Sequence, residues 1–377
     1  MKNVVIAGYA CSPFTLANKG ALTRVRPDDL AAQVIAALIE RTKLRPQDIE
    51  DVIVGCAFPE GEQGLNVGRL IALLAGLPQS VAGMTVNRFC GSSMQSVHIA
   101  AGQIQLDAGD VFIAAGVESM TRVPMMGFNP LPNPALQGAH AYISMGDTAE
   151  NVAGKWHISR EEQEAFSVRS QRRAAAAAKA GHFADEIVPI KTKAGFVDSD
   201  GCIRPDTSAA GLAQLKPAFS QNGTVTAGTS SPLTDGASAV LVCSEDYATK
   251  HGLTPLARIV SVAVAGCAPE IMGIGPVGAT QKALLRAKLE MAALDVVELN
   301  EAFASQALAC ARDLGIRDET LNIDGGAIAL GHPLGATGAR IVGKAASLLQ
   351  RMGGRYALAT QCIGGGQGIA TILERIR

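Results

Sequence analysis

Two stretches far apart in the chain read alike: Asp51-Val52-Ile53-Val54-Gly55-Cys56-Ala57-Phe58 and Asp295-Val296-Val297-Glu298-Leu299-Asn300-Glu301-Ala302-Phe303. Each is a short, β-branched, apolar run of the kind that forms a buried strand, and a charged helical pattern of similar length precedes each. The echo continues downstream. After Cys90 come a helical pattern, Gly109-Asp110 and a strand; after His332 come a helical pattern, Gly353-Gly354-Arg355 and a strand. A βαβ-rich unit is duplicated, with Cys90 and His332 at equivalent helix-opening positions. Side by side, the two halves would bring these residues to one cleft.

Strands are expected at 4–7, 51–56, 111–115, 239–243, 259–263, 296–299 and 356–360, alternating with helices at 27–43, 92–106, 160–180, 280–288, 302–314 and 339–351. That alternation defines an α/β chain. The first half covers 1–118 with 237–250, and the second covers 251–377. Between them, 119–236 is an inserted loop region with Pro124, Pro130, Pro132 and Pro134, then an Ala-rich helix, then Arg204, Lys216 and Ser231. Insertions of this size serve substrate binding or assembly.

The 377 residues are 48% hydrophobic, 18% charged and only 4% aromatic, with a net charge of −1. A large core of small aliphatic residues follows, and no global field recruits nucleic acid or an anionic membrane. An anionic substrate therefore needs a local basic patch. Met1-Lys2-Asn3-Val4-Val5-Ile6 runs straight into a strand, and no stretch is long and apolar enough to span a membrane. The expected location is the cytoplasm. The eight cysteines (11, 56, 90, 202, 243, 267, 310 and 362) include no CxxC pair and no zinc spacing, so no metal is expected. Asn222-Gly223-Thr224 is a chance glycosylation sequon in that setting.

A free cysteine is most often a small buried hydrophobe. Cys90, however, lies in Asn87-Arg88-Phe89-Cys90-Gly91-Ser92-Ser93-Met94, ahead of an amphipathic helix whose free amides and dipole would favour the thiolate. His332, in Gly331-His332-Pro333-Leu334-Gly335, has glycines around it that leave the imidazole little cover, as suits a base or oxyanion donor. Cys362, in Cys362-Ile363-Gly364-Gly365-Gly366-Gln367-Gly368, reads as a loop thiol; with no Lys-Ser/Thr following, the glycines are not a phosphate-binding loop. Gly273-Ile274-Gly275-Pro276-Val277-Gly278 matches a dinucleotide fingerprint only by accident, because of its proline and the lack of a preceding strand. Asn300-Glu301 is a polar strand end that either holds a loop or orients a water. The other six cysteines are assigned to packing.

Together these segments resemble the thiolase family over nearly the whole chain. Four loops match in order: Cys-Gly-Ser-Ser at Cys90, Asn-Glu-Ala-Phe at Asn300, Gly-His-Pro at His332 and Cys-Ile-Gly at Cys362. With Thr226-Ala227-Gly228-Thr229-Ser230-Ser231 and Ile271-Met272-Gly273-Ile274-Gly275-Pro276, the likeness is greatest to degradative 3-ketoacyl-CoA thiolases of the kind found as β subunits of bacterial fatty-acid oxidation complexes. The resemblance implies an αβαβα layered fold of two duplicated βαβαβαββ halves. It implies that Cys90 is acylated, that Cys362 exchanges a proton with the α-carbon, and that His332 activates Cys90. His332 and an Asn300-held water would bind the thioester oxygen, and the amides of Cys90 and Gly364 would form a second oxyanion hole. Ser231 would meet the pantetheine arm and Arg204 the nucleotide end of coenzyme A, Met145 and Met272 would line the acyl pocket, and Phe303 would be a further substrate- or coenzyme A-binding residue. No cofactor is implied beyond coenzyme A as substrate. A homodimer, a homotetramer or a complex with a multifunctional β-oxidation subunit is implied as the assembly. Ser144, where biosynthetic members often carry His, and Glu118-Ser119-Met120-Thr121 depart from relatives and bear on chain length and partnership.

The expected reaction is thiolytic cleavage of a 3-ketoacyl-CoA through an acyl-cysteine. The alternatives are acetoacetyl-CoA condensation by the same machinery, a cysteine hydrolase that would not need Cys362, and a catalytically silent subunit.

Overall fold

The computed structural model describes residues 2–376. In chain order the first half forms β1 (Val4–Cys11), the two-residue β2 (Thr15–Leu16), α1 (Pro27–Thr42), β3 (Asp51–Gly55), α2 (Val67–Leu74), β4 (Ala82–Val86), α3 (Ser92–Gln105) and β5 (Val111–Ser119). The inserted region carries α4 (Met145–Lys155), α5 (Arg160–Lys179), the hairpin β6 (Ile190–Thr192) and β7 (Gly195–Val197), and α6 (Ala209–Ala213). β8 (Thr234–Ser244) and α7 (Glu245–His251) return the chain to the first half. The second half forms β9 (Ala257–Gly266), α8 (Gly275–Ala287), β10 (Val296–Leu299), α9 (Ala304–Leu314), α10 (Ala327–Leu330), α11 (Leu334–Met352), β11 (Tyr356–Ile363) and β12 (Gln367–Arg375).

The sheet order exposes the duplication. Strands run β10-β11-β12-β9-β1-β8-β5-β3-β4, so β1-β8-β5-β3-β4 in one half mirrors β9-β12-β11-β10 in the other. The halves meet where β1 pairs antiparallel with β9, Val5 opposite Arg258 and Ile6 opposite Ala257. The two echo segments occupy matching places: β3 is parallel to β5, and β10 is parallel to β11.

Three apolar clusters hold the layers together. One packs Leu30, Val34 and Leu38 of α1 and Ile71 of α2 on the outer face of the first half. Another packs Ala279, Ala283 and Leu284 of α8 with Ala307 and Cys310 of α9 on the outer face of the second half. Between them, Met94, Val97 and Ile104 of α3 interdigitate with Ala339, Val342 and Leu349 of α11. The layered αβαβα arrangement follows from this order. Close approach of the central helices depends on Gly338, where a Cβ would stand 2.4 Å from the Met94 nitrogen.

α11 is buried along most of its length, including Arg340 and Lys344. Both cations are neutralised: Arg340 pairs with Asp200 at 2.6 Å and Glu186 at 3.1 Å, and Lys344 with Asp324 at 2.8 Å and Glu186 at 3.1 Å. Since Glu186 and Asp200 belong to the inserted region, these buried pairs tie that region to the central helix. Losing one partner would strand a buried charge.

Candidate active site

Both central helices open toward one place. Cys90 precedes α3, whose N-cap is Gly91. The residue before it, Phe89, has φ +42°, an uncommon conformation for an aromatic residue that turns the chain sharply ahead of the thiol. Asn87 holds that turn, its side chain accepting from the Phe89 N–H at 2.9 Å and donating to the Ala57 carbonyl at 3.0 Å. The second half grips the same loop. Arg88 donates to Gln367 at 2.7 Å, and the buried Gln361 amide donates to the Cys90 carbonyl.

The Cys90 thiol is buried and shares an apolar cluster with Ala57, Phe58, Met120 and Leu334. Burial pushes it up to about 11, against the pull of two backbone N–H groups, those of Gly364 and of Cys90 itself. The expectation of a resting thiolate is therefore corrected: desolvation outweighs the helix terminus, and the thiol stays protonated until a base takes its proton. The same two amides are the ones expected to form an oxyanion hole.

His332 is also buried, contrary to the expectation that its glycines would leave it uncovered. Burial lowers its pKa to about 4, so the ring is neutral. Its tautomer follows from its neighbours. Thr337 donates its one hydroxyl proton to the Pro333 carbonyl at 2.9 Å, so its oxygen accepts from His332 Nδ1–H at 2.6 Å. Nε2 is then the free base, and Asn300 Nδ2 donates to it at 3.3 Å. Replacing Thr337 by Val, of similar size, is expected to lower kcat about 10- to 100-fold, short of the full value of a general base, with unfolding temperature nearly unchanged. Steady-state kinetics and thermal melts check this.

Asn300 follows β10 directly. Asn322 fixes this turn: its side chain accepts from the Leu299 N–H at 2.9 Å and donates to the Leu299 carbonyl at 2.9 Å and to Glu301 at 2.8 Å. Glu301 is buried and accepts as well from Ser170 at 2.6 Å, which makes it a structural clamp. Asn300 Oδ1 has no hydrogen-bond partner among the described residues, and Asn300 lines a small cavity with Glu298, Arg340 and Lys344.

Cys362 lies within β11, opposite Gly368, rather than on a loop. The turn begins at Gly364 and needs Gly365 (φ +79°) and Gly366 (φ +84°), conformations open to glycine. Burial raises the Cys362 thiol well above its ordinary value, and charge on Cys90 opposes its ionisation further. An apolar cluster unites Cys362 with Ala149, Val225, Met272, Ala302 and Phe303, and Met145 packs against it. Three expected substrate-binding residues, Met145, Met272 and Phe303, therefore converge on this thiol.

Ser231 lies next to that cluster, its N–H donating to the Ala302 carbonyl at 3.0 Å. Arg204 does not join the thiols. It is exposed on the loop after Cys202, its backbone N–H donating to Gln171 at 2.7 Å, and its guanidinium pairs with no carboxylate among the described residues. Ser144 caps α4, accepting from the Asp147 N–H at 3.1 Å. The remaining cysteines are buried except Cys267, which is half-exposed and donates its N–H to the Gly366 carbonyl at 2.8 Å.

Several site residues escape a reading of sequence. Thr337, Asn322 and Gln361 act through contacts that only the fold creates. Phe219 is another: its ring stands edge-on to Phe303 with centroids 5.9 Å apart and covers Gly146.

Two neutral thiols, a neutral imidazole with its base nitrogen fixed, and amides aimed at one sulfur make a site for acyl transfer to and from cysteine. The chain belongs to the thiolase family: the thiolase N-terminal domain matches residues 4–246 and the C-terminal domain residues 253–375. It is 50% identical to the 3-ketoacyl-CoA thiolase of Marinobacter nauticus over 100% of this chain and 99% of the relative. To that of Bacillus subtilis it is 48% identical, over 99% and 100%. The crystal structure of human mitochondrial 3-ketoacyl-CoA thiolase in complex with CoA superposes with a TM-score of 0.93 at 39% identity, covering 100% of this chain and 98% of that one.

Proposed function

We propose that this protein cleaves 3-ketoacyl-CoA with coenzyme A, giving acetyl-CoA and a shortened acyl-CoA through an acyl group carried on Cys90. The observation that carries the reading is that Cys90, faced by the Gly364 N–H, lies close enough to Cys362 for its charge to act on that thiol, with Cys362 set among Met145, Met272 and Phe303. His332 Nε2 takes the Cys90 proton as sulfur attacks the 3-keto carbon. The oxyanion formed there accepts from the Cys90 and Gly364 amides. The bond between C2 and C3 breaks, leaving the acetyl enolate on coenzyme A, and its thioester oxygen is held by His332 with an Asn300-bound water. Cys362 donates its proton to the enolate carbon. Coenzyme A then gives its thiol proton to Cys362, and its sulfur takes the acyl group from Cys90, whose proton returns from His332.

One cysteine cannot be both acylated and free to move that proton, which disfavours a cysteine hydrolase. In this reading Ser231 meets the pantetheine arm, Arg204 the phosphates of coenzyme A, and no further cofactor takes part. The enzyme works in fatty-acid β-oxidation in the cytoplasm. No helix among the described residues is long and apolar enough to cross a membrane. As an assembly it is a homodimer or homotetramer; β4 ends the sheet with one edge unpaired, and such edges call for cover.

The test compares substrates. Thiolysis of a medium-chain 3-ketoacyl-CoA is expected to exceed that of acetoacetyl-CoA in kcat/KM by about tenfold or more, since each added methylene buried beside Phe303 and Met272 contributes roughly 0.8 kcal/mol. A preference for acetoacetyl-CoA would favour the condensing alternative.

A further inference from the structure

Glu118, near the end of β5, is fully buried, and five donors converge on its carboxylate. Oε2 accepts from the Ala57 N–H at 2.7 Å and the Gly335 N–H at 2.9 Å. Oε1 accepts from the Phe58 N–H at 3.3 Å, the Gln63 amide and the Cys56 thiol at 3.7 Å. Gln63 is fixed with its NH₂ toward Glu118, because its oxygen accepts from the Ser119 N–H at 3.0 Å. Apart from the weakly accepting Cys56 sulfur every partner in this set can only donate, so the ionised carboxylate satisfies it best. Burial pushes the carboxyl up to about 7 even against the pull of these donors.

The groups held here belong to both catalytic loops. Ala57 receives Asn87, which sets the Phe89 turn ahead of Cys90, and the Phe58 ring lies 5.9 Å from that of Phe89. Gly335 is the second residue of α11, three beyond His332. It must be glycine, since a Cβ there would stand 2.4 Å from the Val117 carbonyl. One carboxylate thus joins the Cys90 turn to the opening of the His332 helix, across the seam between the two halves.

We propose that Glu118 is a positioning residue whose buried carboxylate sets the Cys90 loop and the His332 helix in register. The inference rests on the acyl-cysteine reading above, and its chief readout needs no substrate. In E118Q the amide turns donors toward backbone donors, so one loop must move, and displacement by about 1 Å can cost on the order of 10²-fold in rate.

The intact protein, its E118Q variant and its Q63M variant are compared for kcat and KM, for iodoacetamide alkylation resolved by peptide, and for thermal unfolding. Activity in the unaltered protein is established first; its absence would refute the function and leave the alkylation result to judge the positioning. In E118Q, kcat and Cys90 alkylation are expected to fall at least tenfold together, with KM within threefold and Cys267 alkylation unchanged. Q63M is expected to show a smaller fall in the same two quantities. A lowered unfolding temperature with kcat and Cys90 alkylation within threefold of the parent would overturn the proposal. Should E118Q not fold, an unaltered kcat and alkylation in Q63M would overturn it equally.

Discussion

Incubated with a medium-chain 3-ketoacyl-CoA and no free coenzyme A, the protein is expected to gain one acyl mass, carried by the peptide containing Cys90. Cys90→Ala should carry none and lose thiolysis by about 10⁴-fold or more, as removal of a covalent nucleophile does. The expectation is specific to this cysteine because the surrounding structure serves its sulfur alone. The Phe89 turn presents it, Gln361 anchors its carbonyl, and two amides face it. A thiol held up to about 11 reacts slowly with adventitious electrophiles near neutral pH, since so little of it is thiolate. Neutral His332, with Nε2 available, takes the proton only as a carbon–sulfur bond forms. Intact and peptide mass spectrometry decide the matter. An acyl group on Cys362, or on no cysteine, would refute the mechanism.

How far the sequence reaches depends on where a residue's partners lie. The repeat was legible because β3 and β10 are apolar runs whose character is local, and β10 spans Val296–Leu299 as expected. β4 was not: Ala82-Gly83-Met84-Thr85-Val86 is a short edge strand with a glycine, ordered by pairing with β3. β12 escaped for a similar reason, opening at Gln367-Gly368 straight from the glycine turn. Helix α4 carries Gly146 and Gly154, which lower its intrinsic helicity, and its packing against neighbouring elements decides its state. A strand, β9, does precede the accidental Gly273 fingerprint, but a 3₁₀ segment, Pro269–Ile274, intervenes before α8.

The same division holds at the site. Cys90, His332 and Cys362 declared themselves by glycine-rich settings, which are local. Their protonation states did not, because burial is a property of the packed whole: expected thiolate and exposed imidazole became protonated thiol and buried neutral base. Glu118 and Gly335 are 217 positions apart in sequence and meet only because β5 and α11 are neighbours. The local signal was a polar side chain at the end of an apolar strand, the same signal that drew attention to Asn300-Glu301.

Cys362→Ala is expected to separate the two halves of the chemistry. Transfer of an acyl group from a simple acyl-CoA to Cys90 requires a base for the Cys90 proton and an acid for the departing coenzyme A sulfur; His332 is the base, and without Cys362 it can pass that proton on to the sulfur, which leaves as a stable thiolate and needs little acid assistance. That step should stay within about tenfold of the parent. Cleavage of a 3-ketoacyl-CoA instead generates a carbanion at the acetyl α-carbon, and the only proton source the apolar cluster offers is the Cys362 thiol. Loss of that acid should lower thiolysis by about 10³-fold, within the 10²–10⁴ range of general acid–base catalysis and equivalent to roughly 4 kcal/mol of barrier. Exchange of acetyl-CoA α-protons with deuterated water should fall in parallel, and it reports the α-carbon step without any acyl transfer. The substitution removes one sulfur from a buried position, so a modest drop in unfolding temperature is expected and does not bear on the comparison. The decisive quantity is the ratio of the two rates. If acylation and α-proton exchange fell by the same factor, Cys362 would be supporting Cys90 rather than handling the proton, and the assignment of one task to each half's thiol would fail.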